Sequence, residues 1–366
     1  MWKPLYLNVG FRLVSPDRRG KWLCNELQKA GPVYVKLGQF ISNRSDIFGP
    51  VSFQLSSLRD QVKPVPFEKI RDSFDYTELV DVDEVPIASA SISQIHTARL
   101  KRNGQKVAIK VKRPGITEQF SKDFQVIENF LKIIDRSLID TVFSEFKESF
   151  QRETDFKTEI QNLRMFEDIY SASTLVKIPR VYPEYSTGDR IVMEYVPSTN
   201  QKNKSYGTRI MNMFLQQVLF EGVVHGDLHA GNVGVTSGGK LIMYDFGNII
   251  KLTPEYQGLV RELIQAIQTQ DQEGIYNIMV KMGMQINDEA ETRKFIQGYL
   301  TYIDTVDVKS FSSIKFTSKI PVQFDRTTFQ IIRTTGLVEG TCKTFDPDFS
   351  YENSIILCIE LLALGF

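Results

Sequence analysis

The sequence predicts an α+β fold of two lobes behind a helical extension, and three observations predict it. Residues about 1–80 read as helical. Residues 86–112 then alternate small or apolar side chains with polar ones, in two strand-like runs, Ser93–Leu100 and Lys106–Val111, around an Asn103-Gly104 turn. From Gly207 onward apolar residues recur at helical spacing to the end of the chain, interrupted by one short hairpin around Ser237-Gly238-Gly239. Strands early and helices late, with a hinge-like run between, give three regions. These are an extension over 1–80, a strand-bearing N-lobe with inserted helices over 81–197, and a helical C-lobe over 198–366.

Each element has a local reason. Pro32 can open a helix, where its missing N–H costs nothing. Val33, Val35, Leu37, Phe40 and Ile41 supply the apolar positions of that helix before Asn43 and Gly49 break it. Ile116 to Tyr170 is rich in Phe, Ile, Glu and Lys and free of Pro and Gly, so one long helical pattern is expected. Two short strands, Leu175–Val181 and Arg190–Tyr195, flank a turn at Ser186-Thr187-Gly188-Asp189, and Gly207–Glu221 reads as an apolar-periodic helix. No internal repeat or low-complexity tract is evident.

Composition narrows the classes of function. The 366 residues suffice for one large bilobal domain, and 42% hydrophobic with 24% charged residues is ordinary for a soluble globular protein. Lysine plus arginine and aspartate plus glutamate each number 44, so no nucleic-acid partner is expected. The three cysteines, Cys24, Cys342 and Cys358, form no CxxC pair, which argues against a disulfide framework or zinc site and for a reducing compartment. No apolar run reaches about eighteen residues, so the expectation is a soluble or peripheral-membrane protein without a spanning helix. The most apolar stretch, Ser354–Phe366, contains Glu360 and reads as a buried last helix. Met1–Gly20 carries arginines and a tryptophan with no acid before Asp17. That texture is similar to a transit or membrane-surface segment but lacks a signal peptide's apolar core.

The strongest chemical signal is His225-Gly226-Asp227-Leu228-His229-Ala230-Gly231-Asn232, followed by the hairpin and then Asp245-Phe246-Gly247. An aspartate with an asparagine five residues on, a hairpin, then Asp-Phe-Gly is the catalytic-loop and metal-loop order of kinases. The α+β lobes therefore predict a bilobal protein-kinase-like fold. Phosphoryl transfer leaves little covalent work for a protein beyond positioning a nucleophile and neutralising phosphate charge. Asp227 would sit by the acceptor hydroxyl as base or orienter, and Asn232 and Asp245 would supply hard oxygen ligands to Mg²⁺. In Val107-Ala108-Ile109-Lys110, strand alternation puts Ala108 and Lys110 on one face and Val107, Ile109 and Val111 on the other. Ala108 then leaves room for an adenine ring while Lys110 reaches phosphate oxygens. Lys112 shares that face and is a rival. The partner of Lys110 is expected on the helical stretch Glu145–Tyr170, where Glu159, Glu148, Glu153 and Asp155 compete. Met193-Glu194-Tyr195-Val196 ends a strand as a hinge would, its backbone meeting adenine. A glycine-rich loop is missing. Its place holds Ala88-Ser89-Ala90-Ser91-Ile92-Ser93, whose Cβ atoms hinder backbone closure over phosphates.

Over roughly residues 30–285 the chain resembles one family, the UbiB-type or aarF-domain-containing atypical kinases. Lys36-Leu37-Gly38-Gln39 looks like that family's KxGQ signature, and Pro86–His96 looks like its alanine-rich loop. Val107–Lys110 with Val111-Lys112-Arg113-Pro114-Gly115 is similar to its lysine strand. Glu153-Thr154-Asp155 resembles its ExD motif, and Glu159 then falls on its lysine-pairing glutamate. The resemblance implies that Lys36, Gln39, Glu153 and Asp155 are regulatory, the KxGQ helix folding over the active site and hindering protein substrates. It also implies ATPase or small-molecule kinase activity linked to isoprenoid lipids, with contact to a membrane. Ser89 departs from the family's usual alanine.

The expected mechanism places MgATP or MgADP between the lobes, with Lys110 held by Glu159 on the phosphates, Ala88–Ser91, Ala108, Glu194 and Val196 lining the nucleotide, and Asp227 orienting water or a small hydroxyl acceptor. Three rivals stand beside it. One is an aminoglycoside- or choline-phosphotransferase-like kinase, another a nucleotide-binding pseudokinase, and the third a metallohydrolase with His225, Asp227 and His229 as ligands.

Overall fold

The computed structural model describes residues 19–42, 54–55, 58, 63–134, 143–199, 203–305 and 322–350. The expectations for Ser354–Phe366 and for nearly all of Met1–Gly20 lie outside these residues. The chain forms two compact units. One runs to Arg164 and takes in Arg180–Tyr195, and the other comprises Met165–Pro179 and the chain from Val196 onward.

In the first unit the expected helix is Pro32–Ser42, preceded by a helix Arg19–Ala30. Gly31, at φ 120°, makes the junction between them. Gly38 is where the two helices' surroundings close in. A Cβ there would collide with Leu58 Cδ1 and meet Leu27 Cδ1 at 2.8 Å. The helical expectation fails between residues 63 and 80. Prolines 64 and 66 withdraw backbone donors, and the Asp75 carboxylate folds the chain by accepting from Thr77 N at 3.1 Å. What forms instead is two 3₁₀ turns, Phe67–Lys69 and Arg71–Ser73, and a short strand, Leu79–Val80.

The strand Ser93–Leu100 forms as expected and Lys106–Lys112 extends one residue further than expected. Lys106–Lys112 is central. It pairs antiparallel with Ser93–Leu100 on one side, Ile95 facing Lys110, and with Arg190–Glu194 on the other, Lys110 facing Ile191. Leu79–Val80 and Ala88–Ser89 complete a five-stranded sheet. Strand alternation puts Val107, Ile109 and Val111 into a core with Phe74, Leu79, Leu100 and Val192.

The single long helical pattern resolves into Ile116–Ile134, Ser144–Thr154 and Phe156–Ile169. The last break is at Asp155, whose carboxylate accepts from Thr158 N at 3.1 Å and from Thr158 Oγ1 at 2.6 Å. An N-cap of this kind is invisible to apolar periodicity. A phenylalanine cluster ties the first two of these helices to Pro32–Ser42. Phe120 stacks on Phe150 with centroids 3.6 Å apart, Phe124 on Phe143 at 4.0 Å, and Phe40 meets Phe146 at 5.5 Å.

In the second unit, Lys204–Gln216 runs into a π turn, Gln217–Glu221, closed by Gly222 at φ 67°. The hairpin Val233–Val235 with Leu241–Met243 is present as expected. The expected strand Leu175–Val181 is a correction. Only Val176–Lys177 is extended, and it lies parallel to Leu241–Met243, while Val181 makes a lone bridge to Met193. Pro179 and Pro183 interrupt any longer run. Two strand pairs were not foreseen, Val223–His225 with Ile249–Lys251 and Gln285–Ile286 with Val322–Gln323. Runs so short carry no detectable period. Capped helices follow: Pro254–Gln268 behind Thr253, Gln272–Lys281 behind Asp271, and Arg326–Phe345 behind Asp325, with Glu289–Thr305 between them.

The phenylalanine cluster predicts a large local cost for its truncation. Phe150 is 1% exposed, and Phe150→Ala is expected to lower unfolding free energy by about 3–5 kcal/mol in urea titration, Phe150→Leu by less. A loss below about 1 kcal/mol would mean the stack adds nothing to the packing.

Candidate functional site

Lys110 projects from the central strand on the face opposite Val107, Ile109 and Val111. Its Nζ lies 2.7 Å from Glu159 Oε1 and 2.9 Å from Oε2, with Lys110 6% and Glu159 2% exposed. Glu159 sits in the first turn of Phe156–Ile169, where the helix's exposed N–H groups favour an anion. The Phe156 ring lies under both lysines, 5.4 Å from Lys110 Nζ and 5.0 Å from Lys112 Nζ. Lys112, the rival, turns to Asp189 Oδ1 at 3.2 Å. The three competitors of Glu159 are engaged elsewhere. Glu148 meets Arg152 at 3.7 Å, Glu153 pairs with Lys36, and Asp155 caps the helix. The Thr158 hydroxyl bonded to Asp155 holds that carboxyl below its ordinary range.

Two motif segments meet the same unit. Lys36 reaches Glu153 from the helix Pro32–Ser42, and Gln39 Nε2 donates to Leu58 O at 2.9 Å. Ala88 and Ser89 pair with Ile95 and Gln94, and Ala90 N donates to Ser93 O at 2.8 Å, so the Ala88–Ser91 loop is a tight turn. Arg113 pins that turn. Its Nε donates to Ala90 O at 2.9 Å, and its Nη2 to Ser89 Oγ at 2.9 Å and Lys63 O at 2.8 Å. Burial lowers the guanidinium's pKa from its ordinary value, yet an arginine stays charged at any physiological pH. Nothing in the sequence marks Arg113 for this, because its acceptors are mostly backbone oxygens. Ala108 is buried beside Lys110, and Glu194 ends its strand with its N–H on Arg180 O at 2.7 Å.

The second unit assembles the other motif residues. Asp227 follows the strand Val223–His225, and its carboxylate is 43% exposed, 4.0 Å from His229 Nε2. Asn232 is buried, and its Nδ2 donates to Asp227 O at 2.9 Å. Asp245 is exposed and adopts φ 57°, and its Oδ1 accepts from Gly247 N at 3.2 Å. A non-glycine residue in the left-handed region costs on the order of 1–3 kcal/mol and persists where its surroundings over-determine it. Val196 O accepts from Tyr244 Oη at 3.0 Å.

His225 is a structural pivot rather than a metal ligand. Its Nε2 donates to Tyr244 O at 3.0 Å, and its Nδ1 accepts from Asp227 N at 3.2 Å. Both nitrogens are thus committed, which removes the metallohydrolase reading. Among the described residues, no group of three His, Cys, Asp or Glu side chains could hold a metal ion. The His225 ring packs in a trio with Phe166 and Phe246, at centroid distances of 6.2 and 5.5 Å, and Phe166 lies 5.1 Å from Phe246. Gln217, presented by the π turn, accepts from His225 N at 2.9 Å and donates to Tyr170 Oη at 3.0 Å. Burial pushes the His225 pKa down. Neither Gln217 nor Phe166 carries a motif signal that sequence reading could use.

The family model described as the ABC1 atypical kinase-like domain matches residues 57–279. The chain belongs to this family. It is the same UbiB-type, aarF-domain-containing group that the motifs resemble. The chain is 33% identical over 304 residues to the chloroplastic protein ACTIVITY OF BC1 COMPLEX KINASE 8 of Arabidopsis thaliana, covering 72% of this chain and 38% of that one. It is 32% identical over 292 residues to an uncharacterized chloroplastic aarF domain-containing protein kinase of the same plant, covering 74% of this chain and 42% of the relative. It is 30% identical over 323 residues to an uncharacterized protein of Mycobacterium tuberculosis, covering 78% and 66%. The ABC1 chain therefore spans between 38% and 66% of the length of these relatives. Among solved structures, the complex of Rv3197 with erythromycin from Mycobacterium tuberculosis matches with a TM-score of 0.58 at 20% identity, covering 76% of this chain and 80% of that one. The fold is the expected kinase-like α+β fold.

Two outcomes are expected at these residues. Lys110→Met or Glu159→Leu alone is expected to cost about 3–5 kcal/mol in urea unfolding, while the two together cost far less than the sum, because each single change strands a buried charge. Additive losses would show that the two side chains do not depend on each other. For His225, the unfolded chain takes up a proton near pH 6.5 that the folded chain resists, so stability present above that pH is lost as pH falls below it. The slope is up to about 1.4 kcal/mol per pH unit. Unfolding titrations from pH 7.5 to 5.5 are expected to show a shallower slope in His225→Asn, and equal slopes would contradict the buried neutral ring.

Proposed function

We propose that this ABC1-family chain binds MgATP or MgADP and works as an atypical kinase or ATPase. Its acceptor is water, a small molecule or an isoprenoid-lipid-linked hydroxyl rather than a protein. The observation that carries the reading is the buried Lys110–Glu159 pair. A buried ion pair adds little net stability over well-packed apolar residues, so its use is to hold an ammonium ready for phosphate oxygens. Charge placed in advance in a site of low dielectric stabilises the transferring phosphoryl group without reorganisation.

Asn232 and Asp245 fit a magnesium ion. The Asn232 amide commits its nitrogen to Asp227 O, which turns its oxygen to the other side, and Asp245 offers an exposed carboxylate. These are hard oxygen donors, few enough that water and phosphate oxygens fill the remaining positions. When bound, the ion supplies charge neutralisation on the phosphates. Lys110 holds the phosphate oxygens of the nucleotide, and the pinned Ala88–Ser91 turn shapes their approach. Asp227 orients the acceptor O–H and takes its proton as the bond from oxygen to the γ-phosphorus forms and the bond to the β-phosphate bridge breaks. The tie of Lys36 to Glu153 fixes the KxGQ helix on its unit, and the preference for an acceptor smaller than a protein is what the family resemblance implies for that helix. A lipid-linked acceptor would bring the chain to a membrane surface. Among the described residues no helix is long and apolar enough to cross one.

Thermal unfolding with Mg²⁺ plus ATP, Mg²⁺ plus ADP, and nucleotide without metal tests the reading. Ligand at roughly 100 times its dissociation constant is expected to add about 2.7 kcal/mol, a shift of several degrees. Asp245→Asn is expected to lose the metal-dependent part of the shift and the release of phosphate. Undiminished phosphate release in Asp245→Asn, or no shift with any nucleotide, would overturn it.

A further inference from the structure

The helix Arg326–Phe345 lies beyond residues 57–279, which the family model matches, and it carries no motif. Its side chains nonetheless end on the loop that presents Asp227. Arg333 Nη2 donates to Gly226 O at 3.0 Å, and Thr341 Oγ1 donates to Leu228 O at 2.8 Å. These are the carbonyls on either side of Asp227.

Distances decide which donors matter. Thr334 Oγ1 lies 3.4 Å from Gly226 O, but its one proton has a nearer acceptor, Gln330 O at 2.8 Å. Arg333 is therefore the effective donor to Gly226. Thr341 shows the reverse. Its acceptor within the helix, Leu337 O, is at 3.1 Å, farther than Leu228 O. A threonine inside a helix commonly bonds back to the preceding turn, whereas Thr341 spends its shorter bond on the loop. Thr341 is 2% and Leu228 0% exposed, so no water replaces this bond if it is lost.

We propose that Arg333 and Thr341 are positioning residues for Asp227, fixing the two carbonyls that flank it so that its carboxylate meets an acceptor in one orientation. The inference rests on the role given to Asp227 above. Other partners hold the same few atoms. Gly226 N donates to Asn248 O at 2.8 Å, Asp227 N to His225 Nδ1, and Asp227 O accepts from Asn232. Loosening the two carbonyls lets the carboxylate turn, and through Asp227 O it also releases the Asn232 amide.

The test compares Thr341→Val, Thr341→Ser, Arg333→Met and Arg333→Lys with wild type in magnesium-dependent nucleotide turnover. Hydrogen exchange over residues 226–232 is followed in parallel. Thr341→Val and Arg333→Met, which delete the donors, are expected to lower kcat about 10- to 100-fold, with the nucleotide KM within about twofold of wild type. Thr341→Ser and Arg333→Lys, which keep a donor, recover most of the rate and of the exchange protection. A kcat within about twofold of wild type in both donor-deleting variants, with unchanged protection, overturns the proposal. Arg333 is partly exposed, so Arg333→Met serves if Thr341→Val does not fold. Should the wild-type chain turn over no nucleotide, the kinase reading fails by itself, and exchange decides the clamp. Faster exchange in Thr341→Val than in Thr341→Ser supports it, and equal exchange overturns it.

Discussion

A lysine and a glutamate held out of water set the terms for the whole first unit. Neither charge tolerates burial alone, so the strand that carries Lys110 and the helix that carries Glu159 are fixed to each other through a contact of 2.7 Å. The strand is held by neighbours on both sides. The helix is held by its start. Asp155 breaks the preceding helix and caps the next one, which puts Glu159 in a first turn and Phe156, fully buried, beneath the ammonium. Three sources then favour the carboxylate's charge or its partner's: the lysine, the helix N-terminus and the ring face. The ExD motif thereby divides its labour. Its glutamate ties down the KxGQ helix through Lys36, and its aspartate sets the helix that bears the lysine's partner.

The second unit solves a different problem. Its motif carboxylates, Asp227 and Asp245, stand partly or fully exposed, so side-chain burial does not fix them, and the backbone is fixed instead. Asp227 is nearly half exposed while the peptide groups around it are bonded to a histidine, an asparagine, Asn248, an arginine and a threonine. At Asp245 the same logic appears as strain, a left-handed backbone held by the Asp245–Gly247 turn and by Phe246 packed in its aromatic trio. The π turn before the strand Val223–His225 fits this pattern. The extra residue it accommodates presents Gln217 to the His225 backbone, and such turns recur at functional sites.

The division between what could and could not be read from the sequence follows the same line. The hairpin Ser93–Leu100 with Lys106–Lys112 was legible, and so was the alternation that sets Lys110 on the face opposite Val107, Ile109 and Val111. The choice of Glu159 rested on the family resemblance, spacing alone leaving four carboxylates in competition, whereas turn chemistry and the strand period made the hairpin and the alternation legible. The break at Asp155 was not, since a cap depends on one local carboxylate within an unbroken apolar period. Two- and three-residue strands such as Gln285–Ile286 and Val223–His225 were missed for want of length, and their pairing partners are set by the packing of distant segments. Arg113 stands within the lysine-strand motif, but its pinning of the Ala88–Ser91 turn was not legible, because a donor to backbone carbonyls leaves no requirement on the acceptor's identity.

That last asymmetry bears on where a functional unit ends. Groups that touch phosphate or metal must be particular residue types at particular spacings, so they form motifs, and every motif found here lies within about residues 36–247. Groups that hold a carbonyl in place need only a donor at the right distance, and arginine, threonine, asparagine or a backbone N–H will do. They leave no motif and fall anywhere the fold brings a side chain to the loop, as Arg333 and Thr341 do from a helix beyond residue 279. A boundary drawn around the motifs therefore encloses the motif side chains and omits part of what holds their backbone. The rigidity of a half-exposed aspartate has to be sought among backbone acceptors, whatever part of the chain supplies their donors.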